Sequence, residues 1–109
     1  MNKLLPALLV TLSLLPAASQ AASFSGQLAF LYPMANGTVA LAFTGSAPGC
    51  SASGSIFYTY LAPGQNSVTA DGFKNLYAAI LLAFGSERPV DVTYDNSTVY
   101  CYVNNVIVR

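Results

Sequence analysis

Few side chains in this sequence are of the types that carry out acid–base or covalent chemistry. Histidine is absent, and the two cysteines, Cys50 and Cys101, are expected to pair with each other. Asp91 and Asp95 share one face of a predicted strand, but four residues of strand separate them by roughly 13 Å, too far for a catalytic pair. We interpret both as solvated residues of an outward face. The sequence therefore predicts no catalytic residues and no enzymatic activity.

The same composition argues against cofactors and against nucleic acid. Two thiols without any histidine leave no ligand set for zinc or haem, so we expect neither a metal nor a cofactor. After residue 21 the cations are Lys74, Arg88 and Arg109, and the four acidic residues outnumber them by one. Cations spread in this way do not form the clustered positive surface that phosphate binding needs. Nucleic acid is therefore not an expected partner.

Tyrosines are the side chains best suited to binding. If Phe57 and Leu61 fill the core from one strand, the residues that alternate with them face outward. If Cys101 points inward with Val99 and Val103 on the last strand, its two neighbours also face outward. In the fold predicted below these two strands are adjacent, so the outward residues form one patch. The predicted patch consists of Tyr58, Tyr60, Tyr100 and Tyr102.

Such a tyrosine patch has two functional interpretations. The rings can stack on a sugar face, or they can fill a subunit interface, and the hydroxyl groups can hydrogen-bond either partner. The alternative is that the strand faces are reversed and the four tyrosines belong to the core. The sequence alone leaves these alternatives open.

The amino terminus has the pattern of a bacterial secretory signal peptide. Lys3 precedes an apolar run over residues 4–15, Pro16 breaks that run, and Ser19 and Ala21 place small residues where a signal peptidase cleaves. We predict cleavage after Ala21 and a secreted or periplasmic protein. The apolar run is too short to span a bilayer comfortably, and no later stretch is a better candidate. The mature chain is therefore expected to have no membrane span.

Residues 22–109 are predicted to form one domain. A chain of this length buries only about 60–65% of its unfolded surface, so its core gives a small margin of stability. In an oxidising compartment a Cys50–Cys101 disulfide is the default expectation, and it would contribute roughly 4 kcal/mol by loop entropy. Charged residues make up 7% of the sequence, compared with about 25% in ordinary soluble domains. This scarcity indicates large protein–protein contacts.

One helix is predicted between residues 71 and 84. Thr69 or Asp71 can cap its amino terminus, Gly85 suits the left-handed residue that ends a helix, and Pro89 prevents its continuation. Apolar residues recur at helical spacing and predict one face that packs on the core. These residues are Phe73, Leu76, Tyr77, Ile80, Leu81 and Phe84.

The opposite side of this helix also lacks charge. Small and apolar residues occupy the positions where a surface helix would carry Lys and Glu. A helix that is apolar nearly all round is usually buried on both sides. We predict that this side faces another copy of the chain. The alternative is that alanines are present because they are good helix formers. The predicted oligomer-facing residues are Ala78, Ala79, Leu82 and Ala83.

Five strands are predicted around the helix, over residues 24–32, 38–44, 55–61, 90–94 and 98–108. The Asn36-Gly37 pair predicts a hairpin turn, and Asn104-Asn105 predicts a bulge in the last strand. The order of three strands, one helix and two strands is that of the OB-fold, a five-stranded Greek-key barrel. An open sheet with one helix packed across it is the alternative.

The helix and the strand after it carry a family resemblance. The chain resembles small secreted bacterial proteins similar to the B subunits of subtilase cytotoxin and pertussis-like toxins. This resemblance implies a ring of five identical subunits, helices around a central pore, and host-type glycans on exposed faces. It also implies that a catalytic A subunit can be a partner. The segments that carry it are Tyr77-Ala78-Ala79-Ile80-Leu81-Leu82-Ala83-Phe84 and Arg88-Pro89-Val90-Asp91-Val92.

The sequence therefore predicts an exported, non-enzymatic binding module that forms a homo-oligomer and recognises glycans, similar to a toxin B subunit. The alternative is a periplasmic inhibitor or accessory protein, of the small disulfide-bonded barrel kind that blocks a lysozyme. The oligomeric state separates the two hypotheses, because the inhibitor could be monomeric and should bind another protein.

Overall fold

The computed structural model describes residues 21–109. Apart from Ala21, the predicted signal peptide lies outside these residues. The described part is β-rich, with seven strands and one helix. The elements are β1 (Ala21–Gly26), β2 (Leu28–Pro33), β3 (Val39–Thr44), β4 (Ala52–Ser53), β5 (Ile56–Leu61), α1 (Ala70–Ser86), β6 (Val90–Asp95) and β7 (Tyr102–Val108).

All seven strands belong to one sheet. The main strand order is β1-β6-β7-β5-β3-β2, and the two-residue β4 pairs with β5. Every pairing is antiparallel except that of β5 with β7, which is parallel and consists of the single pair Tyr60 and Tyr102. β1 and β2 lie at the two ends of this order, although only Gln27 separates them in the chain. The sheet must therefore curl strongly on itself.

The strand count corrects the sequence prediction. A β-rich fold with one helix is confirmed, but the sheet has seven strands and is not a closed five-stranded barrel. The predicted first strand is divided into β1 and β2, and the short β4 was not foreseen. The last strand begins at Tyr102 rather than at Thr98 because Cys101 N–H donates to the Thr98 carbonyl at 3.3 Å and closes a turn. Val99, expected in the core, is 56% exposed as a result.

Two register shifts decide which residues face outward. Between Leu28 and Phe30 the pairing of β2 with β3 shifts, so Leu28 is buried whereas Phe30 lies on the outer face. The bulge predicted at Asn104-Asn105 is present, because Asn105 pairs with Thr93 whereas Val103 pairs with Tyr94, which leaves Asn104 as the extra residue.

The core lies inside the curled sheet and is closed by α1. The ring of Phe24 makes edge contacts with Phe43, Phe57 and Tyr94 at centroid distances of 4.7, 4.8 and 5.7 Å. Such edge-to-face pairs are the favoured arrangement of buried aromatic rings. The other buried members of the core are Leu28, Val39, Leu41, Leu61, Ile80, Ala83, Val90, Val92, Cys101 and Val103.

Helix α1 begins where the sequence predicts and ends later. The Thr69 hydroxyl accepts a hydrogen bond from the Gly72 N–H at 2.9 Å, so Thr69 is the N-cap. Gly85 lies within the helix, and the left-handed residue is Glu87, with φ of 55°. Gln27 donates from Nε2 to the Glu87 carbonyl at 2.6 Å and helps to hold this end. The cap itself is local, because the Glu87 N–H donates to the Ala83 and Phe84 carbonyls.

The buried side of α1 is narrower than predicted. Ile80 and Ala83 are buried, whereas Leu81 and Phe84 are 47% and 40% exposed. The prediction that Leu81 and Phe84 face the core is therefore wrong. The reason is that α1 packs mainly against β7 and β2, which cover only a narrow strip of the helix. Ala83 belongs to that strip, so its predicted place on the oligomer-facing side is wrong.

The remaining predicted oligomer-facing residues keep an outward position to different degrees. Leu82 is 61% exposed, Ala78 is exposed and Ala79 is half-buried. With Leu81 and Phe84 they form an apolar strip on the outside of α1. No helix within the described residues has the length and apolarity needed to cross a bilayer.

The predicted disulfide is confirmed. Cys50 and Cys101 are bonded, with their Cα atoms 5.6 Å apart. Cys101 is fully buried, and its carbonyl accepts a hydrogen bond from Tyr60 N–H at 3.4 Å. The bond therefore attaches the loop before β4 to the turn before β7, beside the weakest pairing of the sheet.

Removing this bond should lower stability strongly. The cysteines are 51 positions apart, so a Cys50→Ala/Cys101→Ala double variant should lose about 4 kcal/mol of unfolding free energy through the larger entropy of its unfolded chain. Urea denaturation of the variant and the oxidised protein measures the difference. Equal midpoints and slopes would show that the bond adds nothing to the fold.

Candidate functional site

An aromatic surface covers the outer face of β2, β3 and β5. Ala42 of β3 pairs with Phe30 on one side and with Tyr58 on the other. Directly paired residues share a face, and the two rings approach to a centroid distance of 6.1 Å. Ala42 has no exposed surface although it points away from the core. The flanking rings must therefore close over it.

A parallel row repeats this arrangement two residues along β3. Ala40 pairs with Tyr32 and with Tyr60, and it is only 2% exposed. The small side chains of β3 thus form the floor of a surface whose rims are aromatic. Larger residues at these alanine positions would collide with the rings beside them.

The second half of this surface comes from β7 and the turn before it. The rings of Tyr100 and Tyr102 stack at 5.6 Å with planes 25° apart, and Tyr60 meets Tyr100 edge-on at 5.6 Å. Tyr60 and Tyr102 are also the residue pair that joins β5 to β7. We call the whole surface the aromatic face. It consists of Phe30, Tyr32, Tyr58, Tyr60, Tyr100 and Tyr102.

The structure thus brings together the four tyrosines of the predicted patch, and it places them outside the core. Tyr100 is 50% exposed, and Tyr58, Tyr60 and Tyr102 are half-buried against their neighbours. Phe30 and Tyr32 extend the surface beyond the predicted set, at 42% and 59% exposure. Two alternating aromatic residues on a strand that borders a row of alanines are the sequence signal that could have revealed them.

The turn that carries Tyr100 is held by contacts at Cys101. Cys101 has φ of 47°, a left-handed conformation that side-chain-bearing residues rarely adopt. The disulfide and the hydrogen bond from Tyr60 fix the residue there. The Nδ2 group of Asn66 adds a hydrogen bond to the Tyr102 carbonyl at 2.8 Å. The stacked rings are therefore presented by a braced segment of backbone.

Burial and neighbouring hydroxyl groups change the acidity of one tyrosine. Desolvation raises the pKa of Tyr60 above its ordinary value of 10.0, and the nearby Tyr100, Tyr58 and Tyr102 raise it further because their ionised forms would repel a tyrosinate. At neutral pH the hydroxyl of Tyr60 remains protonated. Tyr60 therefore presents a hydrogen-bonding hydroxyl rather than a charge.

Polar residues border the aromatic face at Tyr102. Asn104 Nδ2 donates to Asn66 Oδ1 at 3.4 Å, so two amides lie side by side near the bulge of β7. On the other flank, Asp95 of β6 pairs with Tyr102, and its carboxylate accepts a hydrogen bond from Ser97 N–H at 3.0 Å. Asn66 lies 38 positions before Asn104 in the sequence, so only the fold brings the two amides together.

Asp91 lies at the other end of β6, and its carboxylate is bonded to side chains from other parts of the chain. Its carboxylate accepts hydrogen bonds from the Arg109 guanidinium, at 2.6 Å from Nε, and from the Ser25 hydroxyl. These hydrogen bonds, from Arg109 first and Ser25 second, lower the pKa of Asp91. Asp91 therefore lies at the surface, on an outward face as predicted, and connects β1, β6 and Arg109.

Within residues 21–109, open pockets lie at both ends of α1. A pocket of about 330 Å³ lies between β2 and the end of α1, lined by Gln27, Leu28, Ala29, Ala83, Phe84 and Glu87. A second, of about 290 Å³, lies at the start of α1, lined by Ser67, Val68, Thr69, Gly72, Asn75, Leu76 and Asn104.

Within residues 21–109, no three side chains of His, Cys, Asp or Glu are grouped as a metal site. The arrangement on the aromatic face is suited to stacking and hydrogen bonding.

Comparisons with known proteins give no relative for this chain. No family model, no curated protein and no solved structure matches it. The resemblance to toxin B subunits therefore stays a prediction, and the functional argument rests on the geometry described above.

The acidity of Tyr60 predicts a loss of stability at alkaline pH. The folded-state pKa of Tyr60 lies above 10.0, so the protonated side chain stabilises the fold fully below pH 10. This stabilisation is lost as the pH rises through the folded-state pKa. We expect Tyr60→Phe to remove one tyrosinate absorbance change that occurs above pH 10.0, and to flatten the fall in melting temperature there. Tyr77→Phe, on α1, is the control for the removal of a tyrosine hydroxyl outside the aromatic face. An unchanged titration in Tyr60→Phe would contradict this environment.

Proposed function

We propose that this chain is an exported, non-enzymatic binding module that recognises a glycan through its aromatic face. The observation that carries the proposal is the surface itself. Its six rings lie on one outward side of the sheet, and several remain substantially exposed. Large apolar patches on a soluble domain usually mark interaction sites.

The chemistry of this surface favours a sugar over a flat aromatic or purely apolar ligand. Sugar C–H groups pack well against the negative face of an aromatic ring, while hydroxyls need donors and acceptors at its edge. Tyr100 and Tyr102 offer stacked rings, and the Asn66 and Asn104 amides lie beside Tyr102. Apolar rings with a few converging polar groups are typical of small-molecule sites.

We also propose that the fold is an open, OB-like variant of the Greek-key barrel. Supporting this are the order of three main strands, one helix and two strands, and the parallel pairing of β5 with β7. If β1 and β2 are counted as one bent strand, that strand has β3 and β6 as its two neighbours. OB-folds are partly open barrels that bind oligosaccharides on comparable sheet faces.

The apolar strip of α1 supports a homo-oligomer. Leu81, Leu82 and Phe84 are exposed on a chain in which only 7% of residues are charged. Burying such a strip against another copy would remove apolar surface from water. A five-membered ring and a catalytic partner chain, as the toxin resemblance implies, are the further assembly that we propose.

The glycan proposal predicts that Tyr100→Ala weakens binding. Loss of a stacked, half-exposed ring should reduce affinity for any glycan found on an array by at least about tenfold, or about 1.4 kcal/mol. Val99→Ala is the matched control, because Val99 is equally exposed in the same turn and has no ring. Unchanged binding in Tyr100→Ala, or an equal loss of binding in Val99→Ala, would contradict the assignment.

The oligomer proposal predicts that Leu82→Glu produces monomers. A carboxylate in the centre of the apolar strip cannot be buried without a large desolvation cost. Asn75→Glu, on an exposed polar position of the same helix, should leave assembly unchanged. Size-exclusion chromatography with light scattering gives the masses, and a wild-type protein that is monomeric at high concentration would remove the proposed assembly.

A further inference from the structure

We infer that the aromatic face selects an uncharged oligosaccharide, which continues from the stacked tyrosines across Asn104 into the pocket at the start of α1. This inference rests on the proposed glycan function and adds the class of ligand. Asn104 is the link, because it borders Tyr102 through Asn66 and also lines that pocket. Asn66 donates to the backbone carbonyl of Tyr102 and accepts from Asn104, so the amide that lines the pocket is joined to the strand that carries the stacked rings.

The lining of the pocket contains hydrogen-bonding groups but no charge. Ser67, Asn75 and Asn104 provide hydroxyl and amide groups, and Val68 and Leu76 provide apolar walls. Amides and hydroxyls both donate and accept, which matches the alternating donors and acceptors of sugar hydroxyls. The extra residue of the β7 bulge is what brings Asn104 to the pocket.

Charges around the site also disfavour an acidic sugar. Asp95 pairs with Tyr102 and places a carboxylate on the flank of the aromatic face. Arg109 is bound to Asp91, roughly 13 Å along β6 from Asp95, and Arg88 donates to the Arg109 carbonyl at 3.4 Å. Lys74 is not among the residues that line the pocket. An acidic ligand on the aromatic face would thus meet repulsion from Asp95, while Arg109 is already paired with Asp91.

The helix terminus does not reverse this preference. Free N–H groups at a helix start attract anions, but Thr69 accepts the Gly72 N–H at 2.9 Å. Asp71 in the first turn adds a negative charge that opposes the positive end of the helix dipole. One helix N–H is therefore already occupied, and the Asp71 carboxylate disfavours a carboxylate or sulfate at this end of α1.

A panel of matched oligosaccharides tests the inference on the wild-type protein. Each neutral probe, of two to four sugars, is compared with its counterpart that carries one sialic acid or one sulfate. We expect the neutral member of each bound pair to bind at least tenfold more tightly. Preference for the acidic member would overturn this inference and leave the glycan function standing, whereas no binding to any member would overturn both.

Variants then locate the preference. Asn104→Ala should weaken binding of the best neutral probe at least tenfold, whereas Asn105→Ala, the adjacent exposed residue that pairs with Thr93, should not. Asp95→Asn keeps the side-chain oxygen that accepts the hydrogen bond from Ser97 N–H. This variant should reduce the ratio of the affinities for neutral and acidic probes severalfold. An unchanged ratio in a folded Asp95→Asn protein, or equal effects of the two asparagine variants, would contradict the assignment.

Discussion

The seam between β5 and β7 is the constraint on which the rest of the structure depends. Only the pair Tyr60 and Tyr102 joins these strands, yet the seam connects one part of the sheet, β1-β6-β7, to the other, β5-β3-β2. The Cys50–Cys101 disulfide and the hydrogen bond from Tyr60 N–H to the Cys101 carbonyl lie at the same place. A covalent bond thus reinforces the sheet where its backbone pairing is weakest.

The aromatic face straddles this seam. Tyr58 and Tyr60 belong to β5, whereas Tyr100 and Tyr102 belong to β7 and its preceding turn. Their mutual geometry therefore depends on the bond that holds the two parts together. Cys101, in its left-handed conformation, lies between Tyr100 and Tyr102 in the chain. The half-cystine that links the two parts of the sheet therefore also sets the directions of these two rings. The Cys50–Cys101 disulfide therefore supports both the stability of the fold and the candidate binding surface.

Local patterns predicted those parts of the fold that local chemistry controls. Alternation placed Phe57 and Leu61 in the core, the Asn36-Gly37 pair marked a hairpin turn in which Gly37 has φ of 91°, and Thr69 capped the helix. The pairing of the two cysteines followed from their number. The outward position of the four tyrosines could also be inferred, because it needs only the period of a strand.

Contacts between distant residues decided what the sequence could not show. Gln27 bonds to the end of α1 at Glu87 from sixty positions away, and the face of Phe30 depends on a register shift against β3. The burial of Ala83 and the exposure of Leu81 depend on how narrowly the sheet covers the helix, which periodicity does not contain. Asn66 joined the candidate site only through its hydrogen bond to Tyr102.

The most direct test of the central claim is NMR titration of the oxidised protein with the best-binding neutral oligosaccharide. The account predicts that perturbed signals concentrate on the rings of Tyr60, Tyr100 and Tyr102 and on the Asn104 amide, and that these perturbations are lost once the disulfide is reduced. Perturbations confined to α1, or unchanged by reduction, would contradict it.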